Sequence, residues 1–112
     1  MKVTNWGEEY DVALIIEEYY YGNGLCIEMV CTGNDGNAFC GEDYGNLTVN
    51  LIGGNCAEDE AYVDTNNMPN AELFIKEYKL GKPTGELKQS GFCFYPKYKF
   101  DMEQVKRYLF ED

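Results

Sequence analysis

A turn signal between two runs of alternating residues restricts the fold more than any other feature of the sequence. Over residues 10–20, Val12, Leu14 and Ile16 alternate with Ala13, Ile15 and Glu17, and β-branched and aromatic types predominate, which reads as a strand. Gly22-Asn23-Gly24-Leu25 follows, and Asn23-Gly24 accommodates the positive φ angles of a type I′ hairpin turn. Leu25, Ile27, Met29 and Cys31 then alternate with Cys26, Glu28, Val30 and Thr32. Asp35-Gly36 predicts a second hairpin, interrupted at Gly41-Glu42-Asp43-Tyr44-Gly45, where a bulge is expected. The strand resumes over 46–52, with Leu47, Val49 and Leu51 inward. Residues 53–60 read as a polar loop and 61–64 as a short fourth strand.

The period then changes. Ala71, Phe74, Ile75 and Tyr78 recur at helical spacing after a start near Asn67, with Pro69 in the first turn, a Glu72–Lys76 pair and Gly81 as C-terminal cap. Pro83-Thr84-Gly85 reads as a turn, and 90–98 as a last strand broken at Pro96. A second helix starts at Asp101, a capping residue helped by Gln104 and by a Phe100–Val105 staple. Hairpins followed by helices, without strand–helix–strand alternation, predict an α+β fold. It is an antiparallel sheet of about four to five strands with two helices packed on one face, in a single domain over 1–112.

No histidine is present, so imidazole-based triads and dyads and His-based zinc hydrolases are excluded. Gly81-Lys82-Pro83-Thr84 puts proline where a phosphate-binding loop needs Ser or Thr, and Gly22-Asn23-Gly24 lacks the third glycine of a dinucleotide fingerprint. Asn34-Asp35-Gly36-Asn37 and Asp64-Thr65-Asn66-Asn67 lack the closing glutamate of a calcium loop. Ser90-Gly91-Phe92-Cys93 has no imidazole to activate a nucleophile. No cofactor or metal is expected. The five cysteines are odd in number and lack Cys-x-x-Cys spacing, which predicts buried free thiols. Together with an N-terminus lacking a basic start and apolar run, and no span-length apolar stretch, they predict a cytoplasmic protein.

Charge is the remaining constraint. The net charge is −11, but residues 1–75 hold 14 acidic side chains and one basic one, Lys2, for a net −13. Residues 76–112 hold eight basic and six acidic side chains, for a net +2. Such a segment repels nucleic acid and anionic lipid and attracts basic protein surfaces. Ten tyrosines, Tyr19-Tyr20-Tyr21 among them, exceed what one small core needs and suit a protein interface.

The stretch Ala61-Tyr62-Val63-Asp64-Thr65-Asn66-Asn67-x-Pro69, with Phe74-Ile75, Gly81-x-Pro83-Thr84-Gly85 and Ser90-Gly91-Phe92-Cys93-x-Tyr95-Pro96-x-Tyr98-x-Phe100-Asp101, resembles a bacterial family, domain of unknown function 4313. Gly24-Leu25 and Leu47-Thr48-Val49-Asn50-Leu51 extend the likeness to most of the chain. The resemblance implies cargo of plasmids, conjugative elements and phages of gut Bacillota, where small acidic proteins antagonise host defence. It brings no functional residues with it, and the connection over 34–45 is longer than in the family pattern.

These observations predict a non-enzymatic interaction domain presenting carboxylates to a basic protein, as an anti-restriction or anti-CRISPR antagonist of a nucleic-acid-binding partner would. The candidate contact residues are Glu17, Glu18, Tyr19, Tyr21, Glu42, Asp43, Tyr44, Glu58, Asp59 and Glu60. Direct nucleic-acid or membrane binding is not expected. The alternatives are a small-ligand module or carboxylate-based hydrolase with a site between the sheet and the first helix, and a homo-oligomer joined through a strand edge.

Overall fold

A computed structural model of the chain describes residues 1–19, 24–33, 36 and 38–111. It is mostly antiparallel sheet with two short helices, but the strands form two sheets where one was expected. The first contains β1 (Lys2–Asn5), β2 (Glu8–Glu17), β3 (Cys26–Cys31) and β4 (Asp43–Asn46), in the order β1-β2-β3-β4. The second contains β5 (Thr48–Val49), β6 (Glu60–Val63), β7 (Gly81–Ser90) and β8 (Cys93–Phe100), in the order β5-β6-β8-β7. Helix α1 (Ala71–Glu77) lies between β6 and β7, and α2 (Met102–Lys106) follows β8.

Leu47 is the reason for the division. The run expected as one strand over 46–52 bends there: the Leu47 N–H donates to the Ile27 carbonyl in the first sheet at 3.0 Å. Its own carbonyl accepts from the Asp64 N–H beside the second sheet, also at 3.0 Å. One residue serves both sheets, as happens when a strand crosses a corner. The Thr48 Oγ1 reinforces the joint by accepting from the Ile27 N–H at 3.0 Å.

One core fills the space between the sheets. Val12, Leu14, Ile27 and Met29 come from the first, Ala61, Val63, Tyr98 and Phe100 from the second. Ala71, Phe74 and Ile75 of α1 and Val105 of α2 complete it. The helices therefore share a core with both sheets. A smaller cluster of Leu51, Tyr62 and Tyr95 packs separately, flanked by Val49. Val49 and Leu51 thus face a different interior from Leu47.

The first hairpin keeps its predicted faces but not its register. Ile16 lies opposite Ile27, where a two-residue turn at Asn23-Gly24 would place Cys31. The shift is even, so inward residues stay inward. Its cause lies at the start of β3, where the Leu25 N–H donates to the Glu60 carbonyl at 2.8 Å and ties the chain to the second sheet. Asn23 and Asp35 lie outside the described residues. The expected bulge is present between Met29 and Val30, but β4 begins at Asp43, inside the predicted interruption.

A hairpin not read from the sequence joins β1 to β2 through Trp6-Gly7, both with positive φ (55° and 84°), as a type I′ turn requires. Pro83-Thr84-Gly85 is a bulge inside edge strand β7 rather than a turn, with the register shifting between Pro83 and Leu87. β8 runs through Pro96, because β6 pairs only with residues 97–99 and asks no N–H of Pro96.

Both helix starts reflect competition for side chains. Asp101 caps α2 as expected, accepting from the Glu103 and Gln104 N–H groups, but the Gln104 side chain donates to the Tyr78 carbonyl instead of closing a capping box. α1 begins at Ala71, because Asp64 holds Asn67 in a preceding turn and the Asn70 side chain is spent on the Thr4 carbonyl. Lys79, with φ 57°, takes the left-handed position after α1 that was assigned to Gly81. Gly81 starts β7, where a Cβ would lie 2.6 Å from the Lys99 carbonyl. Glu72 accepts from the Tyr98 hydroxyl at 2.6 Å, a partner other than the expected Lys76.

Leu47 is wholly buried at the sheet junction. Leu47→Ala is expected to cost about 2–5 kcal/mol, measured as a shift in urea midpoint, whereas Ile52→Ala, at a fully exposed side chain, is expected to change it by less than about 0.5 kcal/mol.

A candidate cation-binding hollow beside the first hairpin

The Trp6-Gly7 turn places the chain's one tryptophan at the rim of a hollow of about 490 Å3. Its walls come from three places in the sequence: Asn5, Trp6, Glu8 and Tyr10 from the β1–β2 hairpin, Cys31 from the end of β3, and Ala38, Glu42, Asp43 and Tyr44 from the approach to β4. The Cys31 N–H donates to the Glu42 carbonyl and the Gly41 N–H to the Cys31 carbonyl, each at 2.7 Å. These bonds pin the Glu42-Asp43-Tyr44 segment against the hairpin.

The aromatic walls are ordered by specific contacts. Tyr10 and Tyr44 meet edge to face with ring centroids 5.4 Å apart, a geometry that ring quadrupoles favour. The Tyr10 hydroxyl donates to Glu8 at 2.8 Å, and the buried Asn5 side chain donates to the Tyr44 hydroxyl at 2.9 Å. Asn5 also accepts from the Asn70 N–H, so the floor is tied to the start of α1. Trp6 is 71% exposed. A bulky side chain at positive φ costs about 1–2 kcal/mol, and no burial of the indole offsets that strain.

Three carboxylates, Glu8, Glu42 and Asp43, thus stand among three aromatic rings, and among the described residues no lysine or arginine lines the hollow. Lys2, the one basic residue of the acidic segment, is engaged with Asp11 at 2.7 Å. Aromatic faces and carboxylates both attract a cation, and desolvation strengthens the first attraction.

Around the edge of the first sheet lies a second acidic surface. Glu17, Glu18, Tyr19, Cys26, Glu28 and Asp64 border a hollow of about 340 Å3. Glu28 has its pKa raised, first by partial burial, then by the charge and hydrogen bond of Glu17, and further by Asp43. Asp43 therefore links the two acidic hollows electrostatically. Tyr19 donates or accepts a 2.8 Å hydrogen bond with Thr48, and burial pushes its hydroxyl pKa well up. It ties this hollow to the sheet junction. Burial likewise raises the Cys26 and Cys56 thiols. Among the described residues no cysteine forms a disulfide, and only Cys26 and Cys31 are buried.

The expected contact residues thus divide. Glu42, Asp43 and Tyr44 share one hollow, and Glu17, Glu18 and Tyr19 share its neighbour. Tyr21 lies outside the described residues. Glu58, Asp59 and Glu60 stand apart at the second sheet, where Asp59 faces Lys99 at 3.7 Å and Glu60 accepts from the Ala57 N–H. Sequence reasoning missed Trp6, Glu8 and Tyr10; Trp6-Gly7 between Asn5 and Glu8 was the available signal, masked because tryptophan is rare at a type I′ position. Between the second sheet and the first helix, Ala71, Phe74 and Ile75 pack into the core, while Glu72, Leu73 and Lys76 border a groove toward β7 and β8.

The family described as domain of unknown function 4313 matches residues 13–112. The chain belongs to that family. No curated protein and no solved structure matches the chain. The match begins within β2, so Trp6, Glu8 and Tyr10 lie before the matched region, while Glu42, Asp43 and Tyr44 lie inside it. Among the described residues, no helix is long and apolar enough to cross a membrane.

The raised pKa of Glu28 sets a pH dependence. The folded chain holds the Glu28 proton more tightly than the unfolded one, so stability falls as pH rises from the ordinary value of 4.5 through the raised one. Urea midpoints taken across this window are expected to fall more steeply for the wild type than for Glu28→Gln. Parallel curves would show that folding does not raise the Glu28 pKa.

Proposed function

We propose that this chain is a non-enzymatic interaction domain that engages a basic protein partner, seating a lysine or arginine side chain in the hollow of Trp6, Tyr10 and Tyr44. The single observation that carries the reading is Trp6, an exposed tryptophan at positive φ beside carboxylates in a hollow that, among the described residues, no lysine or arginine lines. Strain of this kind persists where it serves a site. Glu17, Glu18 and Glu28 extend the acidic surface past the hollow and suit a partner with several basic residues.

A finer reading follows from charge density and from the resemblance to mobile-element cargo. Duplex DNA presents one charge per ~1.7 Å, and clustered carboxylates offer a nucleic-acid-binding protein a similar field. On this reading the chain occupies the DNA-binding surface of a restriction or CRISPR-type defence protein. It rests on charge and resemblance alone.

Trp6 supplies its own probe. Titration with a short arginine- and lysine-rich peptide is expected to change the tryptophan emission, and about 0.5 M salt to suppress the change. Trp6→Asn is expected to raise stability by about 1 kcal/mol, by relieving the turn, while weakening peptide affinity by about tenfold, measured by calorimetry. Glu42→Gln with Asp43→Asn should weaken affinity and leave stability unchanged. An emission unmoved by the basic peptide, or a response that survives high salt, defeats the proposal.

A further inference from the structure

Away from the acidic hollows the molecule carries a surface of the opposite character. A groove of about 890 Å3 runs between α1 and the β7–β8 hairpin. Leu73 and Pro83 supply its exposed apolar lining over a floor formed by the buried Tyr98 and Phe100, and Leu73 is 66% exposed. Lys76, Lys79, Lys82 and Lys99 also border it, against two carboxylates, Glu72 and Asp101. Four of the chain's nine basic residues therefore meet at one groove of a protein whose net charge is −11.

Both groove carboxylates are already committed. Glu72 accepts from the Tyr98 hydroxyl, and Asp101 caps α2. Lys99 approaches Asp59 at 3.7 Å, whereas Lys76, Lys79 and Lys82 take part in no ion pair among the described residues. At physiological salt, charges separated by more than ~8 Å are largely screened, so an approaching group responds mainly to these lysines and much less to distant carboxylates.

The apolar lining continues beyond the groove. Side chains two apart on a strand share a face, so Phe94 and Pro96 lie on the same face of β8 as Tyr98 and Phe100. Leu87, opposite Pro96, adds to that face. Leu87 and Phe94 are 66% and 57% exposed. The result is an elongated apolar track with lysines concentrated at its α1 end. A compact small molecule would leave most of such a track uncovered, whereas an extended or helical segment of a protein covers it.

We infer that this track docks an acidic amphipathic segment of a partner protein, with its apolar side chains on Leu73, Leu87 and Phe94 and its carboxylates toward Lys76 and Lys79. The surface is independent of the hollow at Trp6 and opposite to it in charge, so one chain would hold a basic and an acidic element together.

The test uses the full chain and a fluorescein-labelled peptide in which Phe and Leu alternate with Glu, followed by fluorescence anisotropy. Binding is expected, with affinity falling by about tenfold in Lys76→Glu/Lys79→Glu and in Leu73→Asp, and less in the milder Lys76→Gln/Lys79→Gln. Circular dichroism of each variant verifies folding, and Lys106→Glu, outside the groove, should bind as the wild type does. Trp6→Asn should also bind normally, which separates this inference from the proposed function. No binding, equal affinity for a peptide with Lys in place of Glu, or equal weakening by Lys106→Glu overturns it. A concentration-dependent dimer in light scattering, lost in Lys76→Glu/Lys79→Glu, also overturns it, by making a second copy the occupant.

Discussion

The junction at Leu47 is the constraint on which the rest of the structure depends. A residue whose N–H bonds to Ile27 and whose C=O bonds to Asp64 cannot belong to one flat sheet, where a residue's N–H and C=O face the same neighbouring strand. Its side chain, wholly buried, sits where the two sheets, α1 and α2 converge on a common interior. Thr48 beside it uses one hydroxyl to satisfy the Ile27 N–H and to hold Tyr19, so even the polar groups at the corner are occupied. Among the described residues, no buried side-chain polar atom lacks a partner, and a chain of this size tolerates few such losses.

From that junction follows the separation of charge. Placing the N-terminal strands in their own sheet exposes the carboxylates of β2, β3 and the approach to β4 together, with Lys2 drawn aside to Asp11. Placing β7 and β8 at the end of the second sheet leaves the lysines of 76–99 around α1 and the last hairpin. Lys97 is the exception, buried against the Tyr62 ring and held by Glu86 and the Asn55 carbonyl. Its hydrogen bond to Glu86 raises its pKa, and its charge is spent inside the second sheet's outer cluster.

Strain and exposure point to the same place. An indole at positive φ that stays 71% exposed works against stability, and strain of this kind clusters at functional sites. The surrounding contacts are otherwise economical: Asn5 serves both Tyr44 and Asn70, and Glu42 holds the Phe39 N–H as well as facing the hollow. The hollow is therefore fixed by its neighbours, which on the proposed reading lowers the ordering cost of binding.

Alternation of side chains was enough to establish from sequence that β2 and β3 are strands and which of their residues face inward, because the period of two survives an even change of register. Helical spacing likewise identified Ala71, Phe74 and Ile75 as core, and the motifs from Ala61 to Asp101 identified the family. Composition fixed the acidic segment and excluded imidazole chemistry. Local signals failed where a distant partner decided the matter. Leu47 became a corner because Ile27 and Asp64 both reach it, and Pro83-Thr84-Gly85 became a bulge because β8 supplies a strand for β7 to follow. The hollow itself was illegible, since Trp6, Tyr10 and Tyr44 come together only when β1, β2 and β4 take their places around β3. Charge is a property of the sequence, but the grouping of charges and rings into a site depends on hydrogen bonds between residues far apart in the chain.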